Sequence, residues 1–411
     1  MLKRKICIVG AGPGGIVTAL FLAKKGIPST IIEKSKFPRD KICGDAFSGK
    51  VSWVLRKLDL EFEQEVVSQK FQLASWGVKF FGTENNELKV PFKLNYNSST
   101  DKAPGFIASR MDFDNFLFEK AKENELIEII EEKNLTVFER KEDSIVCATK
   151  DRSFEIDSKI LVVANGAYSK LAKELLNLNV EDDSNSLGLR TYYKNVSGLD
   201  KEGYIELHFL KELLPGYFWI FPMANGVANV GVGIRTDLMR KSKMNIKKSF
   251  IDIIENHPEI SKRFQYAEIA DDVKLFGLPL GSKKRELSTD NLILIGDAAA
   301  LIDPFTGEGI GNAMISGMLA ADQIEKSLIT DNFSAAYLKD YDKVLYKRLG
   351  SELALSKKMQ ELTKYPWLFN FVVNKAMKNK ELQELISCMF ESVDVREKLK
   401  NPMFYLRILF S

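Results

Sequence analysis

Three short clusters in this chain combine conformationally free glycines with polar or reactive side chains. The first is Gly10-Ala11-Gly12-Pro13-Gly14-Gly15, with Glu33 eighteen residues further on. Gly10 permits a tight turn, Gly12 lets the backbone approach a pyrophosphate, and Gly15 lets a helix pack closely on a strand. Pro13 and Gly14 complete the turn, and Glu33 is placed to accept from ribose hydroxyls. The second cluster is Gly296-Asp297-Ala298-Ala299, followed by Pro304, Gly307, Glu308, Gly309 and Ile310. Here a carboxylate can meet a sugar or ribityl hydroxyl, and a glycine-rich turn can present N–H groups to a negatively polarised ring edge. The third is Cys43-Gly44-Asp45 at the end of a run containing Lys34 and Arg39. A loop thiol could donate a proton; a small hydrophobic filler is the alternative role for a free cysteine.

These clusters need elements to hold them. Lys5–Val9 reads as a short buried strand, Ile16–Lys25 as a helix and Ser29–Ile32 as a second strand, so the glycines fall in the strand–turn–helix–strand context that gives them meaning. Leu292–Ile295 is another strand before the second glycine cluster, and Thr306–Leu328 is helical in pattern. A nicotinamide domain has no need for this second site, so a flavin dinucleotide is expected. Arg110, entering a helix over Phe113–Glu123, could pair with phosphate or be a solvated helix-cap charge.

A further stretch, Tyr217–Gly233, reads YFWIFPMANGVANVGVG. Tyr217, Trp219 and Phe221 alternate with period two and share one strand face. That face suits a flat ring or an apolar chain, or a sheet core.

The motifs GAGPGG with Glu33, RMDFD at Arg110–Asp114 and GDAAALIDPFTGEGIG at Gly296–Gly311 resemble those of the para-hydroxybenzoate hydroxylase-like flavoprotein superfamily. Within it, PRDKICGD at Pro38–Asp45 and the pattern YxWxFP-x8-GxG resemble the geranylgeranyl reductase family. Tyr217, Trp219, Phe221, Pro222, Gly231 and Gly233 fill every defined position of that pattern. The resemblance spans residues 3–350. One departure stands at Asn165-Gly166-Ala167, where the superfamily usually carries an Asp-Gly pair after a strand, here Lys159–Ala164.

The resemblance implies an α/β fold: a discontinuous Rossmann-like FAD-binding domain, an inserted, mainly antiparallel β-sheet substrate domain and a C-terminal helical segment. We expect residues 1–66, 104–172 and 285–350 to form the first, 67–103 and 173–284 the second, and 351–411 the third. It implies non-covalent FAD, and reduction of carbon–carbon double bonds in an isoprenoid or related hydrophobic substrate. FAD contacts are expected from the first two clusters, from Lys34, Arg39, Cys43, Gly44, Asp45 and Arg110, and from Gly166. Tyr217, Trp219, Phe221, Gly231 and Phe305 are the expected substrate wall, and Cys43 the catalytic candidate. Electrons would come from NAD(P)H or from a separate reductase or ferredoxin; no second GxGxxG stands in the sequence. Two other readings compete. One is an FAD-dependent monooxygenase or halogenase on an aromatic or polyketide-like substrate, for which Lys79 would be the tunnel lysine. The other is a flavin- or lipid-binding protein without turnover.

Composition sets outer bounds. Fifty-nine basic against 56 acidic residues, net +3, carry no nucleic-acid signal. The cysteines Cys7, Cys43, Cys147 and Cys388 form no CxxC pair and the chain has only His208 and His257, so no metal site is expected. Reduced thiols and the lack of a leader or an uncharged membrane-length run lead us to expect a cytoplasmic protein. The tail carries Tyr365-Pro366-Trp367-Leu368-Phe369-Asn370-Phe371 among Lys357, Lys358, Lys364, Lys375, Lys378 and Lys380. We expect these aromatics to pack as a helical cap; peripheral membrane contact is the alternative. His208, in the strand-like YIELHF, is expected to be a satisfied or solvent-facing histidine rather than a proton shuttle.

Overall fold

The computed structural model describes residues 1–388, residue 94 excepted; the apolar segment 404–410 lies outside the described residues. The strand Leu2–Val9 sits at the centre of a parallel sheet, between Glu155–Val163 on one side and Ser29–Ile32 on the other. Ile127–Ile130 extends the sheet beyond Ser29–Ile32, and Leu292–Leu294 pairs parallel to Glu155–Val163. The apolar runs Ile6–Val9 and Ile160–Val163 are buried on both faces, as central parallel strands require. The antiparallel strands Leu135–Arg140, Ile145–Thr149 and Ser288–Thr289 complete it. The helices Pro13–Lys24 and Ile310–Thr330 pack together through small residues, with Gly14 against Ala313 and Gly317 against Gly14. This contact brings the two glycine turns to the same end of the sheet.

The second sheet runs Glu268–Ile269, Asn185–Lys194, Val227–Arg235, Tyr217–Pro222, Ile205–His208, Gly77–Phe81, Glu87–Pro91 in spatial order. Lys274–Pro279 pairs with Asn185–Lys194 alongside. All pairings are antiparallel except that of Ile205–His208 with Gly77–Phe81. Register arranges one face into rows. Gly188, Gly233 and Tyr217 lie side by side; then Arg190, Gly231 and Trp219; then Tyr192, Asn229 and Phe221. Leu207, beside Trp219, and Phe80, beside Leu207, carry the face onward as an apolar surface. The face is thus polar at Asn185–Lys194 and apolar towards Gly77–Phe81.

Helix boundaries differ from expectation where glycine and proline intervene. The helix after the second glycine cluster begins at Ile310 rather than Thr306, because Gly307 adopts φ +75° and Gly309 is its N-cap. Residues 246–264 form two helices, Ile246–Asn256 and Ile260–Phe264, separated at His257-Pro258, as proline removes an N–H and clashes with the preceding turn. Ala335–Leu362, Pro366–Lys378 and Lys380–Cys388 form the C-terminal helices. Phe369 and Val373 pack into the core, with Phe369 4.7 Å from the Phe209 ring. Trp367 is 71% exposed, and Tyr365 and Phe371 also face solvent. The expected packing of these aromatics therefore holds for one side of the helix only.

Candidate active site

The turn after Leu2–Val9 is built by close approach. A Cβ at Gly15 would lie 2.0 Å from the Gly10 carbonyl oxygen, so only glycine lets the helix start so near the strand. The N-cap Gly12 has no side-chain cap, leaving helix N–H groups at a positively polarised end for an anion. Glu33, at the tip of the second strand, accepts from the Ala11 N–H at 2.8 Å and the Ser35 N–H at 3.0 Å. Arg39 lies across this turn, 3.8 Å from Glu33 and 3.0 Å from Asp114. Gly10, Gly12, Pro13, Gly14, Glu33, Lys34 and Arg39 border a cavity of about 710 Å³, in the upper part of the range for small-molecule sites.

The second glycine turn reaches the same cavity through Gly296, Asp297, Gly307, Glu308, Gly309 and Ile310. Asp297 pairs with Lys41 at 3.3 Å. Glu308 turns back to accept from the Gly311 N–H at 2.6 Å, capping the helix it precedes. Below it Lys50 is fully buried, 2.8 Å from Glu352 and 3.1 Å from the Asn312 amide oxygen. Burial works against the Lys50 charge, but Glu352, Asp303 and Glu308 outweigh it and raise its pKa. Breaking such a pair typically costs about 3–5 kcal/mol, so the turn rests on a firmly held ionic base.

Cys43, Gly44 and Asp45 form the loop facing both turns, and all three border the cavity. Burial raises the Cys43 pKa, with Arg110 pulling the other way, so the sulfur stays a thiol at neutral pH. Arg110 is not a solvated cap. It is buried, donates to both Asp114 oxygens at 2.6 and 2.7 Å and also reaches the Cys43 thiol. Its charge is committed to Asp114, so here it organises the loop. Asp45 takes a left-handed φ of +66° and is wholly buried. Its Oδ2 accepts from the Tyr192 hydroxyl at 2.5 Å and the Asn229 amide at 2.8 Å. Burial pushes its carboxyl up to about 6, against the pull of Tyr192, Arg190 and Asn229.

Tyr217, Trp219 and Phe221 border the cavity from the sheet face, as does Ile205. Tyr217 donates to the Thr306 carbonyl at 2.8 Å, tying the sheet to the second glycine turn. The Trp219 indole N–H donates to Asn229 Oδ1 at 2.9 Å. Gly231 stands elsewhere than expected: it is not on the cavity wall. A Cβ there would lie 2.2 Å from the Trp219 ring and 2.3 Å from the Leu189 carbonyl oxygen, so Gly231 makes room for the indole. Phe305 and Pro304 are also behind the wall. Phe305 is buried against Phe80 and Phe209, with ring centroids 6.1 and 5.6 Å away, and the Pro304 carbonyl accepts from Gln360 at 2.6 Å. Gly15, too, acts through packing and not at the wall.

Gly166 borders the cavity beside Asn165, whose amide oxygen is buried without a hydrogen-bond partner. Together with the uncapped N-terminus of the helix Pro13–Lys24 and an acid at each turn, that orphaned oxygen fits an elongated dinucleotide with a polar ring edge. FAD meets that description. Glu33 and the Gly10–Gly14 turn would hold its adenosine and pyrophosphate side, and Asp297 with Gly307–Ile310 its ribityl and ring side.

Sequence reading missed Arg190, Tyr192 and Asn229. Arg190 is buried and donates to Asp40 and Asp271, each at 2.9 Å. Gly188, Arg190 and Tyr192 alternate with period two, a signal available in the sequence. Their sharing of a face with Trp219 emerges only from strand register. Lys79 is paired with Asp200 at 2.8 Å and does not border the cavity. His208 is buried, 3.1 Å from Glu206 and stacked on Phe81 at 4.2 Å, a satisfied histidine away from the site.

Comparison with known proteins adds four findings. The FAD binding domain family matches residues 3–343. A digeranylgeranylglycerophospholipid reductase of Thermoplasma volcanium is 27% identical over 351 residues, covering 84% of this chain and 83% of that protein. A menaquinone reductase of Mycobacterium tuberculosis is 24% identical, covering 81% of each. Among solved structures, a geranylgeranyl bacteriochlorophyll reductase-like protein of Thermoplasma acidophilum superposes with a TM-score of 0.79 at 21% identity, covering 97% of this chain and 99% of that one.

Proposed function

This chain belongs to the FAD binding domain family and is an FAD-dependent oxidoreductase, and from that premise we propose that it hydrogenates isolated double bonds in the prenyl chain of a lipid. One observation carries the reading: the flavin turns and an apolar, aromatic sheet face border a single cavity. An unactivated alkene needs a hydride, a proton and a dry, shaped site that holds both to one geometry. When bound and reduced, FAD supplies the hydride equivalent. Tyr217, Trp219, Phe221 and Ile205 supply an apolar wall, Asn229 fixes the indole, and the Cys43 loop lies opposite the second glycine turn. The protonated thiol and the Asp45 carboxyl are the acids nearest the reacting bond in this reading. The relatives named for digeranylgeranylglycerophospholipid and menaquinone reduction support a prenylated substrate.

As part of the same proposal, residues 1–66, 104–172 and 285–350 form the FAD domain, 67–103 and 173–284 the substrate domain, and 351–388 the described part of a helical C-terminal region. No helix among the described residues is long and apolar enough to cross a membrane. Tyr365, Trp367 and Phe371, exposed beside Lys364, Lys375 and Lys378, instead supply an interfacial contact with the cytoplasmic face of an anionic bilayer, from which the lipid is drawn. The ion-paired position of Lys79 counts against the halogenase reading.

The test is anaerobic. Protein reduced with its flavin bound is mixed with a prenylated lipid or a prenylated quinone, and flavin absorbance is followed. Reoxidation by the alkene without oxygen is expected. Reoxidation that requires oxygen, together with an aromatic substrate or halide, would establish the monooxygenase or halogenase reading instead.

A further inference from the structure

We propose that Asp45 is the proton donor of the reduction, and that Tyr192 and Asn229 set which of its oxygens carries the proton. The inference rests on the alkene-reduction reading above. Asp45 is wholly buried and borders the cavity. Buried carboxylates are ordinarily paired with a cation. The two nearby guanidinium groups are committed elsewhere: Arg190 donates to Asp40 and Asp271, and Arg110 donates to Asp114. Asp45 is left with neutral hydrogen-bond donors, whose pull towards the carboxylate burial outweighs, so the neutral acid is favoured.

Stereochemistry then places the proton. The Tyr192 hydroxyl and the Asn229 amide both donate to Oδ2, while Oδ1 has no hydrogen-bond partner. A carboxylic acid so held carries its hydrogen on Oδ1. The orientation is over-determined. Asn229 also donates to the Cys43 carbonyl at 2.8 Å and accepts from Trp219 at 2.9 Å, so one amide links the acid, the thiol loop and the indole. The left-handed backbone at Asp45 is a conformation that aspartate tolerates better than most residues, and its own carbonyl accepts from Ala108 at 3.0 Å.

The step balances simply. One alkene carbon receives the hydride and its electron pair from the reduced flavin, and the other forms a C–H bond with the Asp45 proton. The O–H bond breaks, its electrons stay on the carboxylate, the double bond is reduced by two electrons and the flavin is oxidised by two. The carboxylate regains a proton from water after the product leaves. The groups that face Asp45 are Tyr192 and Arg190 from the strand Asn185–Lys194, Arg110 from the helix Arg110–Lys122, and Cys43 on its own loop. Together with burial they hold the carboxyl near 6, close to what general acid catalysis near neutral pH requires. The Cys43 thiol, raised by burial, is the weaker acid.

Two measurements test the proposal. The first is infrared difference spectroscopy of the flavin-loaded protein without substrate, titrated from acid to neutral pH. A protonated-carboxyl band disappearing around pH 6 is expected, absent in Asp45→Asn and shifted to higher pH in Tyr192→Phe, which loses a hydrogen bond to the carboxylate. A band that persists unchanged in Asp45→Asn overturns the proposal. The second is the anaerobic single-turnover rate with a prenylated lipid. Asp45→Asn should slow it by about a hundredfold or more with flavin content retained, and should abolish the fall in rate above pH 6. If Cys43→Ala rather than Asp45→Asn removes that pH limb, the thiol is the donor and the proposal fails. If the wild-type protein shows the infrared titration but reduces no prenyl substrate, the substrate reading is what falls.

Discussion

Replacing Gly231 by alanine tests whether that glycine exists to seat Trp219. The new Cβ would lie 2.2 Å from Trp219 Cζ2 and 2.3 Å from the Leu189 carbonyl oxygen. The backbone side cannot yield easily, because Asn185–Lys194 and Val227–Arg235 are held in a register of nine residue pairs, Ser186↔Arg235 to Lys194↔Val227. The indole must move, and the Leu189 carbonyl must shift as well. Overpacking of this kind costs about 1–3 kcal/mol. Loss of the Trp219–Asn229 hydrogen bond adds about 1 kcal/mol. The sum, about 2–4 kcal/mol, should appear as a lower urea midpoint of the flavin-free protein at unchanged m-value. In a Trp219→Ala background the added methyl meets only the Leu189 oxygen, so a double-mutant cycle should return a coupling of at least about 1 kcal/mol. A cost below about 0.5 kcal/mol, or a cycle with no coupling, would refute the argument.

Three further outcomes are expected. Arg110→Met strands Asp114 with Arg39 alone and should destabilise the fold by about 3 kcal/mol in urea unfolding, with Arg110→Lys recovering only part of it. Asp45 bears on stability through its raised pKa. Its neutral form is the one the fold prefers, so stability is fully present below the unfolded carboxylate range and is lost as pH rises through about 6. Asp45→Asn should therefore be near neutral at pH 4 and stabilising by up to about 3 kcal/mol at pH 7, read from unfolding at the two pH values. Trp367→Ser with Phe371→Ser should weaken sedimentation with vesicles containing anionic lipid, while turnover of detergent-dispersed substrate is kept; unchanged vesicle binding would remove the membrane contact.

The flavin turns were legible because strand, glycine turn, helix and acid are local in sequence. Their meeting at one cavity was legible only as an implication of resemblance. Alternation of Tyr217, Trp219 and Phe221 gives a shared face, yet the same alternation in Gly188, Arg190 and Tyr192 does not say which strand lies beside it, because register between distant strands is non-local. Phe305 and Gly231 show the other limit. An aromatic and a glycine inside motifs read as ligand contacts, whereas packing places both behind the wall, Phe305 between Phe80 and Phe209 and Gly231 beneath the indole. The tail aromatics divided between core and solvent because helical phase, not composition, decides which side each residue takes.

In the proposed reaction, reducing equivalents held in this cavity pass to an isolated carbon–carbon double bond. Mass spectrometry of a prenylated lipid after anaerobic turnover by the reduced protein tests it most directly. Hydrogen should be gained in pairs, one pair for each double bond reduced, with no other atom added. A lipid recovered unchanged while the flavin stays reduced, or a product that gains oxygen or halogen once air and halide are supplied, would contradict it.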